Sequence, residues 1–164
     1  REKFDLRLLA KHKGGLFASL KLQSYGCNAL YRDFSPDFLV CNTPVMMEEI
    51  VQTDYCSKNI VYSSAALMVK YPGKFIYLIG FDNQQAEGYN NNRYAGTNAY
   101  KNNDENVTSI KWEANMKRIF DAYLDTTFHY IHPNADYICP DPWKWCKNLK
   151  LKNYRDYISE LDIG

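Results

Sequence analysis

Asparagine side chains follow two of the apolar runs in the first third of this 164-residue sequence. Asn28 comes shortly after an alternating run that ends at Tyr25, and Asn42 directly follows the run 38–41. In open α/β sheets, ligands bind at the carboxyl ends of strands, so an amide at such a place can hydrogen-bond a ligand. It can instead hydrogen-bond its own backbone in an Asx turn. For each asparagine taken alone, both interpretations stay open.

A third apolar run, residues 75–79, leads through Gly80 to Asp82 and into a stretch rich in Asn, Gln, Gly and Tyr that reaches Tyr100. A carboxylate at the position of Asp82 can orient a ribose or a metal, or it can satisfy the backbone amides of a turn. Long loops without structure of their own are usually functional or disordered. We therefore interpret the polar stretch as a binding loop.

Two of the three histidines, His129 and His132, lie near the end of a further apolar run. The ordinary pKa of histidine suits general-base chemistry near neutral pH, and a strand end is a place where such a base can meet a substrate. A packed or capping role is the competing interpretation. His12 has a lysine on either side and is interpreted as solvated.

Several classes of function are disfavoured. The sequence has no phosphate-binding P-loop, dinucleotide-binding glycine motif, zinc-protease motif or nucleophile elbow. With 20 basic and 19 acidic side chains, the net charge of +1 gives no electrostatic case for nucleic acid or an anionic membrane. The five cysteines contain no Cys-x-x-Cys pair, which indicates reduced thiols and no zinc site. No apolar run is long enough to span a membrane, so we expect a cytoplasmic protein.

Apolar runs alternate with helical patterns along most of the chain. Strands are predicted at residues 20–25, 38–41, 59–62, 74–79, 128–131 and 149–152. Helices are predicted at residues 2–13, 44–52, 65–70, 110–123 and 154–161, and the second of these has Thr43 as its N-cap and Pro44 at its first position. This order is typical of an α/β fold with a mostly parallel sheet flanked by helices. The length fits one domain over residues 1–164.

Four segments carry a resemblance to a known family: Ser24–Phe34, Pro36–Pro44, Leu78–Asp82 and Tyr94–Gly96. They look like uncharacterised proteins of tailed phages from marine bacteria, which are similar to bacterial CMP-sialic-acid-dependent sialyltransferases of the Campylobacter type. The resemblance covers most of the first hundred residues. It implies a Rossmann-like sheet and a CMP-activated sugar as the donor substrate.

The resemblance also implies roles for individual residues. The segment that contacts the nucleotide sugar in the family matches Gly26-Cys27-Asn28. The tyrosine whose hydroxyl holds the leaving phosphate matches Tyr94, with Tyr89 as the alternative. The implied donor-site residues are Asn28, Asn42, Ser63, Ser64, Asp82 and Tyr94. The implied chemistry uses no metal and no cofactor besides the nucleotide-sugar donor.

Two parts of the family pattern are not found in this sequence. The glycine loop that wraps the nucleotide phosphate does not precede Glu2, so relative to the family the domain is expected to lack its first strand. Residues 100–120 contain no histidine, which leaves His129 and Tyr94 as the catalytic candidates. We therefore predict a glycosyltransferase-like, nucleotide-sugar-binding protein. The alternative is a non-catalytic nucleotide-binding or interaction protein of phage origin. The expected partner is a nucleotide or nucleotide sugar, and a homo-oligomer stays open.

Overall fold

The structure, a computed structural model, describes residues 4–10, 24–41, 43–55, 60–62, 75–81, 94–99, 109–133 and 136–162. The chain divides into two compact units. One, here called the Asn28 unit, consists of Asp5–Tyr71 and Asn92–Asp104. The other, here called the His129 unit, consists of Arg1–Phe4, Pro72–Asn91 and Glu105–Gly164.

The Asn28 unit contains a three-stranded parallel sheet of β1 (Tyr25–Cys27), β2 (Phe38–Val40) and β3 (Ile60–Tyr62), in that order. Tyr25 is in register with Phe38, and Phe38 with Ile60. Residues 39–41 are all buried. This matches the continuous apolar run in the sequence, because strands of parallel sheets are covered on both faces.

Helical segments of the Asn28 unit are α1 (Arg7–Ala10), the 3₁₀ helix η1 (Asn28–Arg32) and α2 (Pro44–Val51). α2 begins where the sequence predicts, because Thr43 is extended and the fixed φ of Pro44 suits the first helical position. Its inner face places Met46 and Ile50 in a core with residues of β2 and η1.

The His129 unit contains a second parallel sheet, in the order β4 (Phe75–Ile79), β5 (Thr127–His132) and β6 (Leu149–Asn153). Residues 128–132 of β5 are buried one after another. This is the pattern of a central strand whose two faces are both covered.

Its helices are α3 (Ser109–Ala122), the 3₁₀ helix η2 (Asp141–Trp143) and α4 (Tyr154–Asp162). α3 packs Met116 and Phe120 against the sheet face that carries Phe128 and Tyr130. Tyr157 of α4 contacts the ring of Tyr77, which neighbours His129. Since successive strand residues point to opposite faces, the helices α3 and α4 cover opposite faces of this sheet.

The predicted α/β class is confirmed, with parallel strands in two small sheets flanked by helices, an arrangement consistent with a Rossmann-like fold. The described strands form two sheets where the sequence predicted one, because strand pairing depends on long-range contacts that composition does not encode. β1 includes Gly26 and Cys27, which the sequence assigned to a loop, since pairing with β2 holds both residues extended. The predicted helix at 65–70 lies outside the described residues.

Trp143 and Trp145 offer a matched test of the His129 unit. Trp143 is 1% exposed, whereas Trp145 is 86% exposed. The ring of Trp143 meets Phe120 edge-on, and its Nε1 donates to the Glu113 carbonyl at 2.9 Å. We expect Trp143→Ala to lower the free energy of unfolding by about 3–5 kcal/mol. Trp145→Ala should change it by less than about 0.5 kcal/mol.

Chemical denaturation followed by far-ultraviolet circular dichroism measures both values. Equal losses for the two variants would contradict the packing described for Trp143.

Candidate functional site

The sequence-predicted site residues are distributed unevenly over the described parts of the chain. Asn28, Tyr94 and His129 are described. Asn42, Ser63, Ser64 and Asp82 lie outside the described residues, and their predicted roles stay predictions. The structure brings Asn28 and Tyr94 into one unit and places His129 in the other.

Asn28 lies where β1 ends and η1 begins, with a φ of 47°. This left-handed conformation is uncommon for any residue other than glycine, although asparagine tolerates it better than most. The carboxyl end of a strand in a parallel sheet is also where α/β proteins bind ligands. Asn28 therefore combines a ligand-site position with an unusual backbone conformation.

Gly26 explains how the chain closes around this position. A Cβ atom on residue 26 would lie 2.7 Å from Leu30 Cδ2 and 2.8 Å from Pro36 Cγ. Contacts that short do not occur between real side chains, so only glycine lets η1 and the turn at Pro36 pack directly on β1. This close packing fixes where Asn28 leaves the strand.

Tyr94 reaches the same region from a distant part of the sequence. Its hydroxyl donates to Asp33 Oδ2 at 2.9 Å, and Asp33 directly follows η1. The Tyr94 ring also packs against the core of the Asn28 unit. In this structure the hydroxyl hydrogen is committed to a carboxylate. A phosphate can accept that hydrogen only after the bond to Asp33 breaks.

A network that the sequence did not predict holds the Tyr94 segment in place. Arg32 donates to both carboxylate oxygens of Glu49, from Nε at 2.9 Å and from Nη2 at 2.6 Å. Asn98 accepts from Arg32 Nη2 at 2.6 Å and donates to Glu49 Oε2 at 2.7 Å. The hydroxyl of Tyr31 also donates to Glu49. These four residues, here called the Glu49 network, join η1, α2 and the segment 94–99.

Charge explains why Glu49 is the centre of this network. Hydrogen bonds from Arg32, and then from Tyr31 and Asn98, lower the pKa of Glu49 from 4.5 to about 2. The carboxylate is therefore ionised at neutral pH and cannot supply a proton to a substrate. Its role is to position the segment that carries Tyr94.

His129 is buried and lies in the middle of a strand. It is the third residue of β5 and is 5% exposed, with the Tyr77 ring stacked on it at a centroid distance of 4.7 Å. Burial lowers the pKa of His129, and the neighbouring Lys152 lowers it further. Among the described residues, its Nδ1 has no hydrogen-bond partner. The imidazole is neutral at pH 7, but it lies inside the packing.

His132, rather than His129, is the last residue of β5. The ring of Tyr137 stacks on it at a centroid distance of 3.9 Å, and His132 is fully buried. This agrees with the packed role that the sequence left open for both histidines.

The part of the chain that the structure describes contains no group of three or more His, Cys, Asp and Glu side chains arranged to hold a metal ion. In the same described ranges, no helix has the length and apolar character needed to cross a membrane.

Comparison of the chain with protein-family models, with curated proteins and with solved structures gives no match.

The Glu49 network predicts a specific pH dependence of stability. The pKa of Glu49 is about 2 in the folded protein and ordinarily 4.5, so its stabilisation is present above pH 4.5 and is lost as the pH falls towards 2. We expect Glu49→Gln to lower the free energy of unfolding at pH 6 by on the order of 1–2 kcal/mol. This loss is smaller than the pKa difference alone would imply, because both Arg32 and Glu49 are partly exposed and water screens the ion pair.

The measurement is the free energy of unfolding of wild type and variant from pH 6 to pH 2. Their difference should shrink towards zero as the pH falls. Glu48→Gln, on the exposed side of the same helix, is the matched control, with an expected change below about 0.5 kcal/mol. A difference between wild type and Glu49→Gln that stays constant with pH would rule out the ion pair as its source.

Proposed function

We propose that this protein binds a nucleotide sugar at the carboxyl end of β1 and is glycosyltransferase-like, specifically sialyltransferase-like, in its ligand. The observation that carries the proposal is the placement of Asn28. It stands in a left-handed conformation where a strand of a parallel sheet ends. The resemblance assigns the same segment, Gly26-Cys27-Asn28, to contact with the nucleotide sugar.

The surroundings of Asn28 support a polar ligand. Tyr94 and Asp33 form a hydrogen-bonded pair at the end of η1, so a phenol and a carboxylate lie in the same unit as Asn28. A donor phosphate would compete with Asp33 for the hydroxyl of Tyr94. The proposed role of Tyr94 is to bind the donor phosphate once that exchange has occurred, and it requires no metal ion.

A ligand titration with a side-chain deletion at residue 28 tests this proposal. We expect CMP and CMP-sialic acid to shift amide resonances of the Asn28 unit in nitrogen–proton correlation spectra. Asn28→Gly removes the amide side chain but tolerates the positive φ. It should weaken binding by about 1–2 kcal/mol, roughly 10-fold, because a hydrogen bond to the ligand is lost.

Gln52→Ala is the matched control, because Gln52 is an exposed amide at the far end of α2 from the carboxyl ends of the strands. It should leave the affinity unchanged. Absence of binding to CMP, UMP and CMP-sialic acid would refute the nucleotide proposal, and equal affinity of wild type and Asn28→Gly would make Asn28 a turn former only.

A second candidate is a non-catalytic nucleotide-binding or interaction protein of phage origin, and the burial of His129 favours it. A general base has to come within hydrogen-bonding reach of the hydroxyl that it deprotonates. His129 is enclosed by Phe75 and Tyr77 in the middle of β5. In this conformation it cannot meet an acceptor, so we infer that nucleotide-sugar binding occurs without transfer.

Release of CMP from CMP-sialic acid distinguishes the two candidates. We expect wild type and His129→Phe, which keeps an aromatic ring in the stack, to show the same release as buffer alone. Release by wild type that falls 10²- to 10⁴-fold in His129→Phe would instead identify His129 as a general base. Thermal unfolding of both proteins would show whether the variant is folded.

A further inference from the structure

A groove of about 360 Å³ opens in the His129 unit. One wall is the first half of α3, with Trp112 and Glu113, and the other includes Tyr137, Cys139 and Asp141. This volume lies within the range of small-molecule sites, roughly 300–1,000 Å³. None of these residues belongs to the nucleotide site proposed above.

The groove lies at the end of the sheet where α/β proteins bind ligands. The segment 137–141 follows β5 after its carboxyl end at His132. α3 lies between the parallel strands β4 and β5 in the chain. It therefore begins near the carboxyl ends of these strands and runs antiparallel to them, towards the amino end of β5. Both walls therefore belong to connections at the carboxyl ends of strands.

The walls are held firmly before any ligand arrives. The indole Nε1 of Trp143 donates to the backbone carbonyl of Glu113 at 2.9 Å. The rings of Trp112 and Trp143 contact each other at a centroid distance of 5.3 Å. On the opposite wall, Tyr137 is stacked on His132. A preformed site of this kind binds with a smaller entropic cost than one that must be ordered.

The charge of the groove selects among ligands. Its charged lining residues, among those the structure describes, are Glu113 and Asp141. Lys144 pairs with Asp141 at 2.5 Å. Lys117, one helical turn from Glu113, pairs with Asp121 at 2.5 Å. Among the described residues no ion pair involves Glu113, and its side chain lines the groove together with Trp112 and Tyr137.

We propose that this groove binds a small organic cation, an alkylammonium or quaternary ammonium group with an apolar body. The positive charge lies near the Glu113 carboxylate, and the apolar body packs against Trp112 and Tyr137. Aromatic rings attract such cations through their π-electron density, and a neighbouring carboxylate adds to the attraction. A phosphate or a carboxylate ligand would be repelled by the same charge.

A pair of ligands with the same shape tests the charge requirement. Choline and its neutral isostere 3,3-dimethylbutan-1-ol are titrated against the full chain, and the indole Nε1–H resonance of Trp112 is followed. The exposed Trp145 gives an internal reference, with both signals assigned by Trp112→Phe and Trp145→Phe. We expect choline to bind at least about 10-fold more tightly than the neutral alcohol.

Glu113→Gln should weaken choline binding about 5- to 10-fold and leave the binding of the alcohol unchanged. Asp125→Asn is the matched control, since Asp125 is an exposed carboxylate of the same unit outside the groove. On the wild-type protein, raising the sodium chloride concentration should weaken choline binding only, because salt screens the attraction. This measurement keeps the test valid if Glu113→Gln fails to fold.

Equal affinity for choline and the alcohol would overturn the proposal and leave an apolar groove. Selective binding of lactose or sialic acid at Trp112 would overturn the proposal in favour of a sugar site. If none of the four compounds shifts the Trp112 resonance, the proposal is also overturned. The Asn28→Gly variant should bind choline with the affinity of the wild type. The choline titration therefore tests the groove independently of the nucleotide proposal.

Discussion

The bidentate ion pair between Arg32 and Glu49 is the interaction on which the candidate nucleotide site depends. It joins η1 to α2, and through Asn98 it joins both to the segment 94–99. Two charge-assisted hydrogen bonds in a fixed planar geometry position their partners more closely than a single contact can. Because Tyr94 lies in that segment, the ion pair helps to hold its hydroxyl against Asp33 at the end of η1.

The His129 unit is organised by aromatic packing instead of charge. β5 is buried on both faces, and its residues alternate between the side covered by α3 and the side that Tyr157 approaches. His129 is one of the residues in this packing, and its ring serves as a stacking surface for Tyr77. A histidine used in this way loses access to solvent, and its pKa falls because burial disfavours the charged form.

The two units therefore offer different chemistry. In the unit of Asn28 the amide of Asn28 and the phenol of Tyr94 are the groups proposed to hydrogen-bond a ligand with hydroxyl and phosphate groups. The groove at Trp112 and Tyr137 is lined by Glu113, for which the described residues provide no ion pair, and by aromatic side chains, which suits a cation with an apolar body. Both lie at the carboxyl ends of parallel strands, where side chains from successive connections converge.

The sequence by itself determined the α/β class, the helices α2, α3 and α4, and the strands β2, β5 and β6, because hydrophobic period and the Thr43-Pro44 start signal are local properties. It also pointed to Asn28 at the end of a strand. Only the tertiary structure decided the extent of β1, the division into two sheets, the burial of His129 and the pairing of Arg32 with Glu49 and Asn98. These depend on contacts between residues 13 to 66 positions apart, for which neither spacing nor composition carries a signal.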